Sequence, residues 1–375
     1  MKVSLLQENL NKGLAIVNKF VSTKIQLPVL ANIFISAKNG KLKLSATNLE
    51  TGINLWLAAK IDEEGEITIP AKIISEFVAS LPQDKVVLKK IDSKLEINCR
   101  SYKASFNSIA ASEFPPIISL KNKKNQLDYK TIILKKDLFI KAVNQIGFTA
   151  AIDESRPTLT GIKIDFLANK LQLVATDGYR LGLKTITLPQ KLDEQSLIIP
   201  AKALLEVARV YLQNEEEELK LALIKKENQV IFSLGEVEII TRLLEGEYPD
   251  FQKIIPLTST TEIILNKEEF QRAVKTASLF AKDSANIVRL KIKDQKLKIS
   301  ANSPEVGENE VELEIKQKGE DSQVAFNCRF LQDYLNSLEA EELILESSGP
   351  LKPGVFKPVN DASFLHLIMP VRLQE

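Results

Sequence analysis

The chain has 375 residues, of which 44% are apolar, and a formal net charge of +1 at pH 7. This length and composition fit a soluble protein of two or three domains, and the near-neutral charge excludes a chain uniformly coated in basic residues. The chain has a single histidine, His366, which argues against histidine-based catalysis and a histidine metal cluster. Its two cysteines, Cys99 and Cys328, lack the spacing of a disulfide or a cysteine metal site. No cofactor is expected.

Six amphipathic helical patterns follow one another along the chain. They begin near Leu10, Ile73, Leu138, Ala203, Phe270 and Arg329. Between them lie alternating stretches that predict strands, such as Ile162–Phe166 and Lys170–Val174, with turn signals at Asn39-Gly40, Asp177-Gly178 and Glu227-Asn228. Polar or proline-bearing stretches predict linkers near residues 121–125 and 255–259.

Two sequence markers recur with nearly one period. Lys41-Leu-Lys-Leu-Ser-Ala-Thr-Asn returns as Lys170-Leu-Gln-Leu-Val-Ala-Thr-Asp and as Lys296-Leu-Lys-Ile-Ser-Ala-Asn-Ser, at spacings of 129 and 126 residues. Ile67-Thr-Ile-Pro-Ala-Lys returns as Leu197-Ile-Ile-Pro-Ala-Lys and Val324-Ala-Phe-Asn-Cys-Arg. Such a long period indicates repeated whole domains. The prediction is an α+β fold of three tandem domains, residues 1–124, 125–256 and 257–375, each with two helices packed on antiparallel sheets.

Positive charge is concentrated on the predicted helices. The six helical stretches hold 14 basic and 8 acidic residues, so the rest of the chain is slightly acidic. The polar helix faces carry Lys12, Lys19, Lys141, Asn144, Gln145, Lys202, Arg209, Arg272 and Lys275. Lysines without aromatic stacking residues suit phosphate contacts along a DNA duplex, without sequence specificity. The alternative is that these lysines are ordinary solvated faces of amphipathic helices.

One helix carries an apolar residue on its polar face. Leu279 lies opposite Phe270, among Arg272 and Lys275, so it is a candidate contact with another molecule. Isolated exposed leucines are also common and often have no function.

Five stretches carry a resemblance to a known family. They are Leu27-Pro-Val-Leu-Ala-Asn, Ala175-Thr-Asp-Gly-Tyr-Arg-Leu, Gly246-Glu-Tyr-Pro-Asp-Phe, Ala301-Asn-Ser-Pro-Glu and Met369-Pro-Val-Arg-Leu. In this order they resemble the beta subunit of bacterial DNA polymerase III, the sliding clamp, over the whole chain. The resemblance implies a cytoplasmic, non-catalytic processivity factor: a head-to-tail homodimer forming a closed ring around double-stranded DNA. It also implies as partners the DNA polymerase III alpha subunit, a clamp loader complex and other proteins with a clamp-binding motif.

The resemblance further implies a pocket for partner peptides that carry a glutamine followed by leucine and phenylalanine-like residues. Its residues are Leu159, Thr176, Gly178, Tyr179, Arg180, Leu181, Pro249, Lys253, Ile254, Leu367, Met369, Pro370, Val371, Arg372 and Leu373. Leucine, proline and methionine suit an adaptable apolar slot, and arginine or lysine at its rim could meet a polar peptide group. Asp177-Gly178 is equally well explained as a hairpin turn, and both can hold.

Two further sets of residues follow from the resemblance. The dimer interface is expected to use Phe106, Leu279, Phe280, Glu305 and Glu308, and the DNA surface is expected to include Lys24, Lys72, Arg156 and Lys202. The chain departs from the family pattern at Pro157 and Thr158, where aromatic residues can occur, at Lys24 and Lys253, where arginine is common, and in its last residues Gln374 and Glu375.

Two other classes of protein are alternatives. An enzyme is disfavoured because the sequence holds no phosphate-binding Gly-x-x-x-x-Gly-Lys loop, no Gly-x-Ser-x-Gly elbow and no His-Glu-x-x-His pair. A repeat scaffold that binds proteins but not DNA would share the repeats, and only its behaviour on DNA separates it from a clamp. The sequence has no apolar run of eighteen residues and no pattern of a secretory signal peptide at its amino terminus, so neither membrane insertion nor secretion is predicted.

Overall fold

The computed structural model describes residues 1–22, 27–122, 129–305 and 307–372. Its α-helices lie where the periodicity predicts them: α1 Gln7–Val17, α2 Ala71–Ser80, α3 Lys136–Ile146, α4 Ala201–Tyr211, α5 Lys267–Ala281 and α6 Cys328–Ser337. The apolar residues Leu10, Leu14, Phe139, Val143, Phe270 and Val274 are all fully buried, as the predicted helix faces require.

One residue of a predicted polar face is buried instead. Gln145 on α3 is only 4% exposed. Its neighbours Ala142, Val143 and Ile146 are also buried, so the covered arc of this helix is wider than its apolar stripe. The prediction that Gln145 lies on the solvent side was therefore wrong.

The first compact unit comprises Met1–Asp137 and Arg209–Leu243 and holds two antiparallel sheets. The strands of the smaller sheet are β1 Lys2–Leu6, β5 Lys60–Glu63, β7 Lys85–Ile91, β8 Lys94–Cys99 and β9 Tyr102–Asn107, in the order β5-β1-β7-β8-β9. The strands of the larger sheet are β2 Asn32–Lys38, β3 Lys41–Thr47, β4 Thr51–Ala58, β6 Gly65–Pro70, β10 Lys130–Lys135, β15 Glu218–Ile224, β16 Gln229–Leu234 and β17 Val237–Arg242, in the order β10-β15-β16-β17-β4-β3-β2-β6.

The second compact unit comprises Leu138–Ala208 and Leu244–Glu375 and has the same organisation. The strands of its larger sheet are β11 Gly161–Leu167, β12 Lys170–Thr176, β13 Arg180–Thr187, β14 Gln195–Pro200, β18 Thr261–Asn266, β22 Lys316–Gly319, β24 Glu342–Ser347, β25 Gly354–Pro358 and β26 Phe364–Ile368, in the order β14-β11-β12-β13-β26-β25-β24-β18-β22. The strands of its smaller sheet are β19 Ile287–Lys293, β20 Lys296–Ser303, β21 Gly307–Glu314 and β23 Ser322–Asn327, in the order β21-β20-β19-β23.

Each larger sheet combines strands from two of the predicted repeats. In the first unit β4 pairs with β17, with Gly52 opposite Ile240, and in the second β13 pairs with β26, with Leu181 opposite Leu367. The compact units therefore divide the central repeat, because hydrogen bonding across a sheet joins strands more closely than chain order does. The boundaries at 124/125 and 256/257 remain predictions.

The predicted turns have the backbone conformations that their residues favour. Asn39 and Gly40, between β2 and β3, have φ of 51° and 73°, as a two-residue hairpin turn needs. Asn228, between β15 and β16, has φ of 50°. Residues 255–259 form no regular element, whereas only Lys121 and Asn122 of the other predicted linker lie within the described residues. Cys99 and Cys328 are buried thiols that form no disulfide.

The larger sheet of the first unit buries a carboxylate near its centre. Glu238 on β17 lies opposite Asn54 of β4 and Ser233 of β16, and it lines a cavity of about 570 Å³. The residue is 0% exposed, and neither carboxylate oxygen forms a hydrogen bond of good geometry with the described residues, although Ser119 and Lys121 lie nearby. Burial raises the pKa of Glu238, and the nearby Ser119 hydroxyl and the charges of Lys121 and Lys43 offset only part of that effect.

At pH values above the pKa of Glu238 in the folded chain, replacing it by glutamine is therefore expected to stabilise the protein by about 1 kcal/mol, because a buried charge is removed. The pKa of Glu238 is higher in the folded than in the unfolded chain, so wild-type stability falls as pH rises through the interval between the two values. Urea denaturation of both proteins across that interval measures the difference, which should grow with pH. A constant difference would contradict the assignment.

Candidate functional site

The described residues of the expected peptide pocket all lie in the second compact unit. They fall on the β12–β13 hairpin, on the 3-10 helix Pro157–Thr160, on the 3-10 helix Phe251–Ile254 with Pro249 just before it, and on β26 with the segment that follows it. Leu373 lies outside the described residues.

The hairpin has a turn held by its own side chains. The Thr176 hydroxyl donates to the carbonyl of Arg180 at 2.6 Å and accepts from the Gly178 amide at 3.0 Å. One oxygen of Asp177 accepts from the amides of Tyr179 and Arg180 at 2.9 and 3.0 Å. Gly178 has φ of 92°, where a side chain would be strained. The interpretation of Asp177-Gly178 as a hairpin turn is confirmed.

A buried apolar cluster lies beneath this hairpin. Its members are Val174, Leu181, Phe251, Val355 and Leu367, with Leu183, Tyr248, Ile255 and Leu365 packed against them. Leu181 and Leu367 are direct cross-strand neighbours. Burial raises the pKa of Tyr248, whose hydroxyl donates to the carbonyl of Val174 at 3.5 Å. The cluster gives the site a buried, uncharged floor.

The exposed part of the site is also largely apolar. Tyr179, Ile254 and Met369 are 66%, 42% and 37% exposed. The Met369 amide donates to the carbonyl of Tyr179 at 2.8 Å, and the Val371 amide donates to the carbonyl of Ala325 at the same distance. These bonds hold the carboxyl-terminal segment beside the turn, so its side chains and the turn can contact one apolar ligand.

The remaining residues of the expected pocket surround these groups. Leu159 is buried in its 3-10 helix, and Thr176 is buried in the hairpin. Pro249 and Arg372 are exposed, and Pro370 is half-buried. Lys253 is exposed and pairs with Asp250 at 3.0 Å.

Two arginines differ from the sequence-based expectation. The side chain of Arg180, expected at the rim, is only 10% exposed, and its guanidinium contacts other groups of the protein. Arg156, expected to contact DNA, is exposed, and a β-carbon added at Gly178 would lie 3.2 Å from its Nη1 atom. The arginine at the edge of the turn is thus Arg156, whereas Arg180 is part of the interior.

Sequence reasoning missed several residues of the floor. Val174, Tyr248, Phe251 and Val355 were not in the expected set, although the quoted stretch Gly246–Phe251 contains two of them. The sequence signal that could have found them is the pair Tyr248 and Phe251 in a short loop. Large aromatic side chains in a loop often pack onto a buried core.

The expected DNA-contacting residues are mostly exposed. Lys12, Lys19, Lys72, Lys202, Arg209, Arg272 and Lys275 lie on the solvent side of their helices. Arg272 pairs with Glu268 at 2.8 Å. Lys141 is half-buried and bonded to Glu339, so part of its charge is already compensated. Lys24 lies outside the described residues.

The expected interface residues lie on surface-exposed parts of the two units. Leu279 on α5 is 58% exposed, so its position off the apolar face is confirmed, and Phe280 is half-buried. Phe106 on β9 packs edge-on against Phe77 of α2, with ring centroids 5.5 Å apart. Glu305 and Glu308 are exposed.

The single histidine has no catalytic environment. His366 is fully buried and stacks on Tyr334 with ring centroids 4.9 Å apart. Burial, with a smaller contribution from the charge of Arg180, lowers the pKa of His366 to about 3. It is therefore neutral near pH 7 and packs as an aromatic ring. Within the described parts of the chain, no cluster of acidic, cysteine or histidine residues could hold a metal ion, and no helix could span a membrane.

Three family models match the chain in order. They are the N-terminal, central and C-terminal domains of the DNA polymerase III beta subunit, and they match residues 1–118, 133–250 and 252–372. The beta sliding clamp of Bacillus subtilis is 30% identical over 386 aligned positions, which cover 99% of this chain and 100% of that protein.

Solved structures agree with these matches. The Bacillus subtilis DNA polymerase sliding clamp superposes with a TM-score of 0.93 at 28% identity, and the DNA polymerase III beta subunit of Thermotoga maritima with 0.91 at 28% identity. Both alignments cover 100% of each chain. The expected α+β fold of three clamp domains with antiparallel sheets is confirmed. This chain belongs to the DNA polymerase III beta subunit family, the beta sliding clamps.

Proposed function

We propose that two copies of this chain form a closed, head-to-tail ring around duplex DNA. The observation that carries the proposal is that β9 and β21 are both sheet edges, while strands that correspond to them in other repeats pair with each other. Strand β9 ends the five-stranded sheet of the first unit, and β21 ends the four-stranded sheet of the second. Each has one neighbour among the described strands. An exposed edge is a template for pairing with another chain.

The repeats suggest how these edges pair. By its place in the repeat β9 corresponds to β26, and β21 corresponds to β13, which pair antiparallel within the chain. Pairing β9 of one copy with β21 of the next would complete a sheet of nine strands, the size of the larger sheet in the second unit. Two such identical contacts close a ring of two chains.

Charge and apolar surface support this pairing. The exposed glutamates of β21 are Glu308, Glu310, Glu312 and Glu314. Of these, Glu310 and Glu312 pair with Lys298 and Lys296 of the neighbouring strand, whereas β9 carries the exposed Lys103. Opposite charges across the contact favour the correct partner edge. Phe106 on one side and Leu279 with Phe280 on the other supply the apolar part that a stable interface needs.

The exposed basic residues of the helices are assigned to the DNA phosphates, where contacts to the backbone carry no sequence information. The pocket is assigned to peptides of the DNA polymerase III alpha subunit, of a clamp loader complex and of other replication and repair proteins. In this assignment the protein is cytoplasmic and non-catalytic, and it confers processivity by holding the polymerase on the template.

Retention on DNA is expected to depend on topology. After loading onto nicked circular DNA with a clamp loader complex and ATP, the protein should remain with the circle during gel filtration at raised salt. Cutting the circle once should release nearly all of it, because a ring slides off an end whereas direct phosphate binding is only weakened by salt. Equal retention on circular and linear DNA would refute encirclement. No retention on either would favour a scaffold that binds proteins alone.

A further inference from the structure

The chain contains two copies of the pocket hairpin. In the first unit the Thr47 hydroxyl donates to the carbonyl of Thr51 at 2.8 Å and accepts from the Leu49 amide at 3.0 Å. Asn48 accepts from the amides of Glu50 and Thr51 at 3.0 and 2.7 Å. These are the bonds that Thr176 and Asp177 make in the second unit. The turn therefore keeps its shape with either set of residues.

The two copies differ at the last residue of the turn. Thr51 ends the first turn, and Arg180 ends the second. The Arg180 guanidinium donates to Asp177 at 2.9 Å, to Asp333 at 2.6 Å and to the carbonyl of Phe148 at 2.8 Å. The rings of Phe148 and Phe330 lie 5.4 and 4.5 Å from it. The first copy forms its turn without an arginine. Arg180 is therefore not needed for the conformation of the second turn; it fixes where that turn lies relative to the helices.

Asp333 is the helix residue to which the Arg180 guanidinium connects the turn. It lies on α6, 153 residues from Arg180 in sequence, and its side chain is 44% exposed. From Arg180 the connection continues through Asp177, which bonds the turn amides, to the Tyr179 carbonyl that accepts from Met369. A charge-assisted bond at one end thus restrains both the turn and the carboxyl-terminal segment of the pocket.

We propose that Asp333 is a positioning residue for the partner-peptide pocket and that it acts through Arg180. The proposal rests on the proposed function of that pocket. Asp333 and Arg180 do not contact the peptide; they hold the Asp177–Tyr179 turn and Met369 in the geometry that receives it. A preorganised site binds more tightly because less order is lost on binding.

The test compares full-length proteins by fluorescence anisotropy with a labelled synthetic peptide that carries a glutamine followed by leucine and phenylalanine. Asp333→Asn is expected to weaken binding about tenfold, and Asp333→Glu to recover part of the affinity. In an Arg180→Met background, Asp333→Asn should cause no further loss, since residues that act as one unit are not additive. Wild-type affinity in the Asp333→Asn protein, or full additivity, would overturn the proposal.

A matched control separates positioning from general destabilisation. Asp361 pairs with Lys184, which is on the same strand as Arg180 but away from the turn. Asp361→Asn should lower thermal stability to a similar extent and leave peptide affinity within about twofold. An equal loss of affinity in this variant would assign the effect to stability and reject a specific role for Asp333. If wild-type protein did not bind the peptide, the pocket assignment itself would fail.

Discussion

Replacing Leu279 by aspartate is expected to convert the protein from a dimer of twice the chain mass of 41.9 kDa to a monomer. In one copy Leu279 is 58% exposed on α5, the helix that packs on β20 and β21, so it borders the acidic edge strand. In the proposed ring it would be buried against the copy that supplies Phe106. A carboxylate there would be desolvated beside the glutamates of β21, at a cost of several kcal/mol, and about 1.4 kcal/mol is already a tenfold change in Kd.

Sedimentation equilibrium or light scattering over a range of concentrations measures this change directly. Leu351→Asp is the matched control, because Leu351 is 62% exposed in the same compact unit but lies outside α5 and β21. It should leave the dimer intact. A dimer that survives Leu279→Asp with unchanged Kd would remove this helix from the interface, and a monomeric wild-type protein would rule out the ring.

Deleting residues 369–375 is expected to weaken peptide binding by at least about 100-fold, or about 2.7 kcal/mol, while leaving the dimer intact. The deletion removes Met369, whose amide donates to the Tyr179 carbonyl and whose partly exposed apolar side chain lies beside the turn. The proposed dimer edges are not part of this segment. Loss of both the turn restraint and an apolar wall should remove most of the binding energy, since a few central contacts dominate such sites.

Removal of Gln374 and Glu375 alone provides the control for this deletion. These two residues extend past the Met369-Pro-Val-Arg-Leu stretch, so binding of the same labelled peptide should remain close to that of the full chain. Peptide binding that persists after removal of residues 369–375 would move the site away from the carboxyl terminus. Loss of the dimer in the same variant would instead indicate a folding defect.

Local sequence predicted the elements that local interactions build. The periodic spacing of apolar residues such as Leu10, Phe139 and Phe270 located all six described α-helices. These residues are buried in the structure, because an amphipathic helix is stabilised by covering its apolar face. Asn39-Gly40 and Asp177-Gly178 predicted hairpin turns because few other residues adopt the required backbone conformations. The two recurring markers predicted three tandem domains of one kind.

The site was predicted in part. The family resemblance brought residues from hairpin, loop and carboxyl terminus into one set, and the structure places Leu181 opposite Leu367 and Tyr179 beside Met369. Periodicity could not predict the burial of Gln145 or Glu238, since burial there comes from elements distant in sequence that cover them.

The sequence by itself therefore determined the helices and turns, which depend on neighbours a few positions away, and the repeats, which are visible as markers spaced 129 and 126 residues apart. The residue set of the pocket came from the family resemblance. Only the tertiary structure decided that Arg180 is an interior residue held by Asp333, that Arg156 lies at the edge of the turn, and that β9 and β21 are sheet edges. The first depends on a contact between residues 153 positions apart, the second on the packing of one loop against another, and the third on the pairing that a strand lacks. Such tertiary geometry leaves no periodic signal in the chain.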